Sequence, residues 1–415
     1  MKILLISPYS PLPAIYGGAL RIYHLLKSLA ENNEVTFLTF GYQEDLVKLE
    51  KHFGSRIKEI HLVRKTWACR YRRLAQFYAF FMADSFHSLF TRSTKMQNKI
   101  DELLAKNKYD IVQIEFPIMG RFSFKTDAVK ILDEHNIEFD NFKRIWQNIT
   151  SPLRKLHYER EYKKTYNEEI NVCRKMDAVF TVSERDKNIL DCEIPGAQKF
   201  VIPNGVDTSY FRPSDEATEP FTMVFTGMMG YVPNNDGMFY FLDKIFPKIL
   251  NEIPEAKIYI VGNRPPKELQ KRAAENIIVT GFVEDVRPYI RRAGLYVVPL
   301  RMGGGTRLKV LEALSMGKAV VATSIGCEGI NVIDKKNVLI ADKPDDFALL
   351  AVNVLRNPDS YRMMCYNGYS LIKSAYDWQA IASSVEEAYK KILNEKYGTK
   401  SNLMLTELIE NAVIK

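Results

Sequence analysis

Arg307, Lys309 and Glu312 stand just after a glycine run, Gly303-Gly304-Gly305-Thr306, in a chain of 415 residues. The stretch from Val298 to Thr323 reads as strand, glycine loop, helix, glycine cap at Gly317, strand. The start of a helix offers N–H groups without partners, and its dipole favours negative charge there. Two cations beside such a start can neutralise a diphosphate. Glu312 follows Lys309 by three residues, so both reach the same side of the helix. A carboxylate there can accept from a pair of ribose hydroxyls. An isolated Lys309–Glu312 pair would read as a solvated ion pair of little energetic weight. The glycine loop ahead of it favours the ligand reading. Gly17-Gly18, after the proline-rich loop Pro8 to Pro13, make a second candidate. Glycines there let a ligand approach the backbone at a helix start, although spacing alone fits a plain strand-to-helix turn equally well. His135 lies just past an apolar run, where α/β domains present their ligands. A lone histidine there more often is a satisfied structural residue than a contact residue. Glu115 and Asn204 are further, weaker candidates.

These side chains need a frame that carries them on strand ends. Short β-rich runs alternate with helical patterns along the whole chain. They are Lys2–Ser7, Val35–Phe40, Ile60–Val63, Ile111–Ile114, Val129–Asp133, Ala178–Val182 and Phe200–Ile202, then Met223–Thr226, Lys257–Val261, Ile277–Val279, Leu295–Pro299, Ala319–Thr323 and Val338–Ile340. The runs are apolar nearly throughout, as expected of strands covered on both faces. Between them lie amphipathic helices, such as the one bearing Ile22, Leu25, Leu26 and Leu29. Such alternation predicts an α/β fold of two doubly wound, Rossmann-like parallel sheets with right-handed crossovers. The turn cluster Pro203-Asn204-Gly205-Val206-Asp207 marks the boundary. The predicted domains are 1–205, with a helix 376–397 packing back on it, and 206–375, followed by a tail 398–415.

Composition narrows the function classes. Hydrophobic residues at 46% and charged residues at 26% are ordinary for a globular protein. No apolar run reaches the ~18 residues a membrane span needs. The five cysteines are scattered and form no CxxC, which argues for reduced cytoplasmic thiols and against a zinc site. The net charge of +8 favours anionic partners without choosing among them. Neither domain shows GxGxxG after its first strand, which makes an NAD-dependent oxidoreductase a poor fit.

Several segments, taken in order, resemble the retaining glycosyltransferases of family 4, which have the two-Rossmann fold called GT-B. They are the Gly17-Gly18 loop, Asp133-Glu134-His135-Asn136-Ile137-Glu138, Thr181-Val182-Ser183-Glu184, Val201 to Asp207, Phe225-Thr226-Gly227, Ile260-Val261-Gly262, Thr280-Gly281-Phe282-Val283 and the Glu312 segment. The resemblance runs from Met1 to about Lys391. It implies two domains facing across a cleft and a nucleotide-diphosphate sugar as donor. It also implies a carbohydrate or glycolipid acceptor, as in polysaccharide biosynthesis. By resemblance His135 contacts the donor sugar, Glu312 holds the donor ribose, and Gly281 and Val283 flank the base. Gly17, Gly18, Gly227, Gly303, Gly304, Gly305 and Thr306 are donor-binding candidates. Two departures stand out. The family's first glutamate of the pair falls on Gly304, and the cation pair after the second domain's first strand is missing from Gly227 to Gly237. Arg307 and Lys309 are expected to supply that charge. The implied transfer has no protein base, with the departing diphosphate taking the acceptor proton, and needs no metal or other cofactor.

Arg64 to Phe81 mixes cations with aromatics. That composition suits a helix lying on an anionic membrane, at the inner face of the plasma membrane, and equally a core helix with a basic flank. No groove-reading element suggests nucleic acid. Two rival functions remain from sequence: a nucleotide-sugar epimerase or hydrolase on the same fold, and a non-catalytic nucleotide-sugar-binding protein.

Overall fold

The computed structural model describes residues 1–14, 16–66, 78–80, 82, 84–149 and 151–413, with side chains as far as residue 398 except at 148. It divides into two compact units, Met1–Ile202 with Ala382–Lys415, and Pro203–Ile381. Every apolar run named above overlaps a strand.

The first unit is built on seven parallel strands: β1 (Lys2–Ser7), β2 (Glu34–Gly41), β3 (Glu59–Arg64), β4 (Ile111–Glu115), β5 (Val129–Glu134), β6 (Ala178–Thr181) and β7 (Gln198–Val201). Their order is β3-β2-β1-β4-β5-β6-β7. Ile3, Leu4, Leu5 and Ile6 of β1 are fully buried, because helices cover both faces of the sheet. The helix Gly17–Asn32 turns Ile22, Leu25, Leu26 and Leu29 inward, and Arg21 with them. The helix Trp378–Val413 runs without interruption through Gly398. A glycine costs a helix only about 1 kcal/mol and no proline follows it, so the helix continues from Gly398 to Val413. From Ala382 onward this helix belongs to the first unit, where Tyr389 stacks on Phe180 with ring centres 5.9 Å apart.

The second unit has six parallel strands: β8 (Thr222–Thr226), β9 (Lys257–Val261), β10 (Ile277–Gly281), β11 (Leu295–Val298), β12 (Val320–Ala322) and β13 (Leu339–Ile340). Their order is β10-β9-β8-β11-β12-β13. In both sheets the chain starts in the middle, winds one way, then crosses back and winds the other. The crossing point lies between β1 and β4 in one sheet and between β8 and β11 in the other. In doubly wound sheets, ligands bind where adjacent strands diverge in this way, at their carboxyl ends.

The segment Arg64–Phe81 lies mostly outside the described residues, at 67–77 and 81. Among the described residues, no helix is long and apolar enough to cross a membrane.

Candidate active site

In the second unit the predicted residues lie along the carboxyl ends of the strands, from β10 to β11. β8 ends at Thr226 and the chain turns through Gly227, with φ 151°. The Gly227 amide donates to the Val261 carbonyl at 3.0 Å, and the Gly262 amide to the Gly281 carbonyl at 3.1 Å. Gly227, Gly262 and Gly281 therefore line the carboxyl edge of β8, β9 and β10. A Cβ on Gly262 would overlap the Gly227 carbonyl oxygen, and Gly262 has φ 150°. Gly262→Ala is expected to cost about 3 kcal/mol or more from overlap and backbone strain together, read as a lower urea midpoint for this unit. A midpoint unchanged from wild type would mean the edge can spread. Beyond β10, Val283 packs on the core while Phe282 is exposed.

After β11 the loop passes through Gly303 (φ 119°) and Gly305 (φ 74°) into the helix Leu308–Ser315. The helix ends at Gly317, whose φ of 67° allows the left-handed turn that stops it. Its first residue outside, Arg307, gives no side-chain cap. The Arg307 side chain is buried and directed inward. It donates to the carbonyls of Ile325 (3.1 Å) and Gly304 (2.6 Å) and lies 3.5 Å from Glu328. This differs from the sequence expectation of a cation held out to phosphate. A guanidinium has five donors in a fixed fork, and here the fork ties the glycine loop to the segment after β12. Beside it, the buried Thr306 hydroxyl has no partner.

Lys309 stands at the turn after β8. Its ammonium would lie 2.8 Å from a Cβ on Gly227, so it occupies the mouth of the β8 turn. It donates to Asn234 Oδ1 at 2.7 Å and sits 3.9 Å from the Phe225 ring centre. Asn234 in turn donates to the Met228 carbonyl at 2.9 Å, which fixes its orientation. Burial lowers the Lys309 pKa to about 7. Glu312 lies one turn further along the helix. Burial raises its carboxyl to about 7, with Lys309 pulling the other way. Glu312 has no hydrogen-bond or ion-pair partner among the described residues. The result is a half-buried cation and a half-buried acid at one strand edge, each paying a solvation cost that an anion and hydroxyls would relieve.

In the first unit Gly18 and His135 come together. His135 follows β5 and is buried, with Nε2 2.7 Å from Glu115 Oε2 at the end of β4. The Phe116 ring lies over the imidazole, with centres 3.9 Å apart. Phe116 has φ 69°, an unfavourable backbone for a bulky residue, which is a feature that gathers at functional sites. A Cβ on Gly18 would overlap the Tyr9 hydroxyl and reach 3.4 Å from His135 Nδ1. A side chain at this position would have to displace the Tyr9 and Phe116 rings. Gly17 opens the helix Gly17–Asn32 after Tyr16, which gives no side-chain cap. Below His135, Arg21 donates to both Asp133 oxygens at 2.8 Å, and both side chains are fully buried. Ligand atoms of Glu115, Asp133 and His135 lie within 4.8 Å of one another. The guanidinium already takes both Asp133 oxygens, so this cluster reads as an ion-pair network and not as an open cation site. A groove of about 700 Å³ lies at the other edge of this sheet, near Arg174, Gln198 and Lys396, away from His135.

The sequence matches the family described as Glycosyltransferase Family 4 over residues 15–210, and Glycosyl transferases group 1 over residues 220–357. The chain is a glycosyltransferase with the GT-B fold. This transferase is 25% identical over 400 residues to an uncharacterized 44.6 kDa protein in the cps region of Klebsiella pneumoniae, covering 92% of this chain and 98% of that one. It is 27% identical over 215 residues to a phosphatidyl-myo-inositol mannosyltransferase of Mycobacterium tuberculosis, covering 48% of this chain and 56% of that one. It thus spans about half the length of that relative. Among solved structures, Anabaena HepE in complex with UDP superposes with a TM-score of 0.66 at 15% identity, over 94% of this chain and all of that one.

Several residues of the two candidate sites were not singled out from sequence. Asn234, which holds Lys309, is a neutral amide 75 positions away from it. Arg21, Tyr9, Phe116 and Gln113 carry no motif. Gly262 stands in one of the segments named from sequence, where a glycine directly after a buried strand signals close backbone approach. Asn204 is buried at the start of the second unit.

Proposed function

We propose that the transferase takes a nucleoside-diphosphate sugar and passes the sugar, with retention of configuration, to a carbohydrate or glycolipid acceptor. The observation that carries this reading is the Lys309 ammonium at the Gly227 turn, with the unpartnered Glu312 carboxyl one helical turn away. In this reading Lys309 and the loop amides meet the diphosphate, Glu312 accepts from the ribose hydroxyls, and His135 meets a hydroxyl of the sugar. The glycosidic carbon breaks from the diphosphate oxygen and bonds to the acceptor oxygen. The acceptor proton leaves with the diphosphate. The protein contributes position and charge stabilisation. No metal is required, because the ammonium and amide dipoles do that work. Support comes from the relatives: HepE has been solved with UDP and with UDP-glucose, and other relatives are mannosyltransferases.

The test is a panel of UDP-, GDP- and dTDP-sugars, scored by nucleotide release with lipid and oligosaccharide acceptors, and by the anomeric proton coupling of the product. Nucleotide release with sugar left free would favour hydrolysis. Glu312→Ala gives a sharper readout. Each hydrogen bond to a charged group contributes about 1.5–3 kcal/mol. UDP should therefore bind about 10–100-fold more weakly to the variant, while 2′-deoxy-UDP should lose much less. Equal losses for the two nucleotides would remove Glu312 from the ribose.

A further inference from the structure

Behind His135 four side chains form one buried line across the first unit. Tyr389, on the last helix, donates its hydroxyl proton to Gln113 Oε1. Gln113 Nε2 donates to Glu115 Oε1 at 2.6 Å. Glu115 Oε2 meets His135 Nε2 at 2.7 Å. Gln113, Glu115 and Tyr389 are fully buried, and His135 nearly so. At its other end the line stops at His135 Nδ1, which is buried and has no partner. That nitrogen faces Gly18.

The direction of the protons follows from the partners. A phenol at Gln113 Oε1 turns the amide so that its N–H groups point to Glu115. Glu115 Oε1 is then an acceptor. His135 Nε2 faces Glu115 Oε2 and, 3.8 Å away, Asp133 Oδ2. A lone pair on Nε2 would oppose two carboxylates, whereas a proton there is attracted by both. We propose that Glu115 is a positioning residue that fixes His135 as the Nε2–H tautomer, leaving Nδ1 as a hydrogen-bond acceptor for a hydroxyl of the transferred sugar. The inference rests on the functional reading above only for the identity of that hydroxyl.

The tautomer can be read without turnover. In the full chain labelled with 15N-histidine, two-bond 1H–15N spectra at neutral pH should show His135 with a protonated Nε2 and a bare Nδ1. Glu115→Gln keeps the shape but can donate its own amide to Nε2, so the tautomer should reverse. With a sugar hydroxyl then facing an N–H, kcat/KM for transfer should fall about 10–100-fold, while UDP affinity, set in the second unit, should stay within about twofold. Glu115→Asp keeps the carboxylate and should retain the wild-type tautomer and recover part of the rate. If Glu115→Gln does not fold, Tyr389→Phe removes only the hydroxyl, and its spectrum should show both tautomers. A wild-type spectrum with Nδ1 protonated overturns the proposal. So does a Glu115→Gln variant that keeps the wild-type tautomer or rate. A wild-type enzyme with the predicted tautomer but no turnover of any sugar nucleotide would instead remove the transfer reading and leave the tautomer assignment standing.

Discussion

Lys309→Ala should weaken UDP or GDP binding by about 100-fold, the value of one lost charge-assisted contact to phosphate. Its ammonium stands at the Gly227 turn, where the family's cation pair is missing, and Arg307 is committed to the carbonyls of Ile325 and Gly304. Lys309 is therefore a cation with which the second unit can answer a diphosphate at this edge. The variant should fold, because the side chain is only half-buried and Asn234 keeps its bond to Met228. Calorimetry decides: an unchanged dissociation constant would remove Lys309 from the donor site.

The same lysine makes a pH prediction with a definite sign. With its pKa lowered to about 7 by burial, Lys309 is largely neutral above that pH in the free protein. A bound diphosphate favours the ammonium and raises the pKa again. Binding above pH 7 must then take up a proton, and affinity must fall as pH rises through the window between the free and bound pKa values. Glu312 works the other way. Its pKa is raised to about 7, and ribose hydroxyls favour the carboxylate, so it gives up a proton on binding. Titrations of UDP at pH 7.5 in buffers of different ionisation enthalpy should show the sum of the two. In Lys309→Ala the balance should shift toward release. No difference between variant and wild type would mean that the lysine does not titrate with the ligand.

How far the sequence reaches can be judged from these residues. The strands were legible because parallel strands covered on both faces are apolar throughout, and glycines punctuated their ends. That Lys309 and Glu312 share one helix was legible from their spacing once the glycine loop was recognised. The direction of Arg307 did not follow, because its partners are backbone carbonyls, which every residue carries. The line from Tyr389 to His135 joins residues 276 and 20 positions apart. Neither gap has a periodicity to reveal it. Arg21 is hidden for another reason: charged side chains are rarely fully buried, so nothing in its type marks a place on the apolar face of its helix.

Arg21 carries the largest expected effect on stability. Its guanidinium and the Asp133 carboxylate are both fully buried and joined by two bonds of 2.8 Å. Removing one member of such a pair leaves an unpaired buried charge, at a cost of about 3–5 kcal/mol. Arg21→Met keeps most of the volume and removes only the charge and the donors. The bare Asp133 would then stand beside Glu115 and His135, with no cation to balance two adjacent acids. A chain of two units need not unfold in one step, so a single midpoint is a poor measure. Amide exchange along β1, β4 and β5 reports the unit directly and should accelerate by about two to three orders of magnitude. Arg21→Met with Asp133→Asn removes the unpaired charge and should recover part of the loss. If the single variant protects these amides as well as wild type, water must already reach the pair, and the buried frame argued for His135 would be wrong at its base.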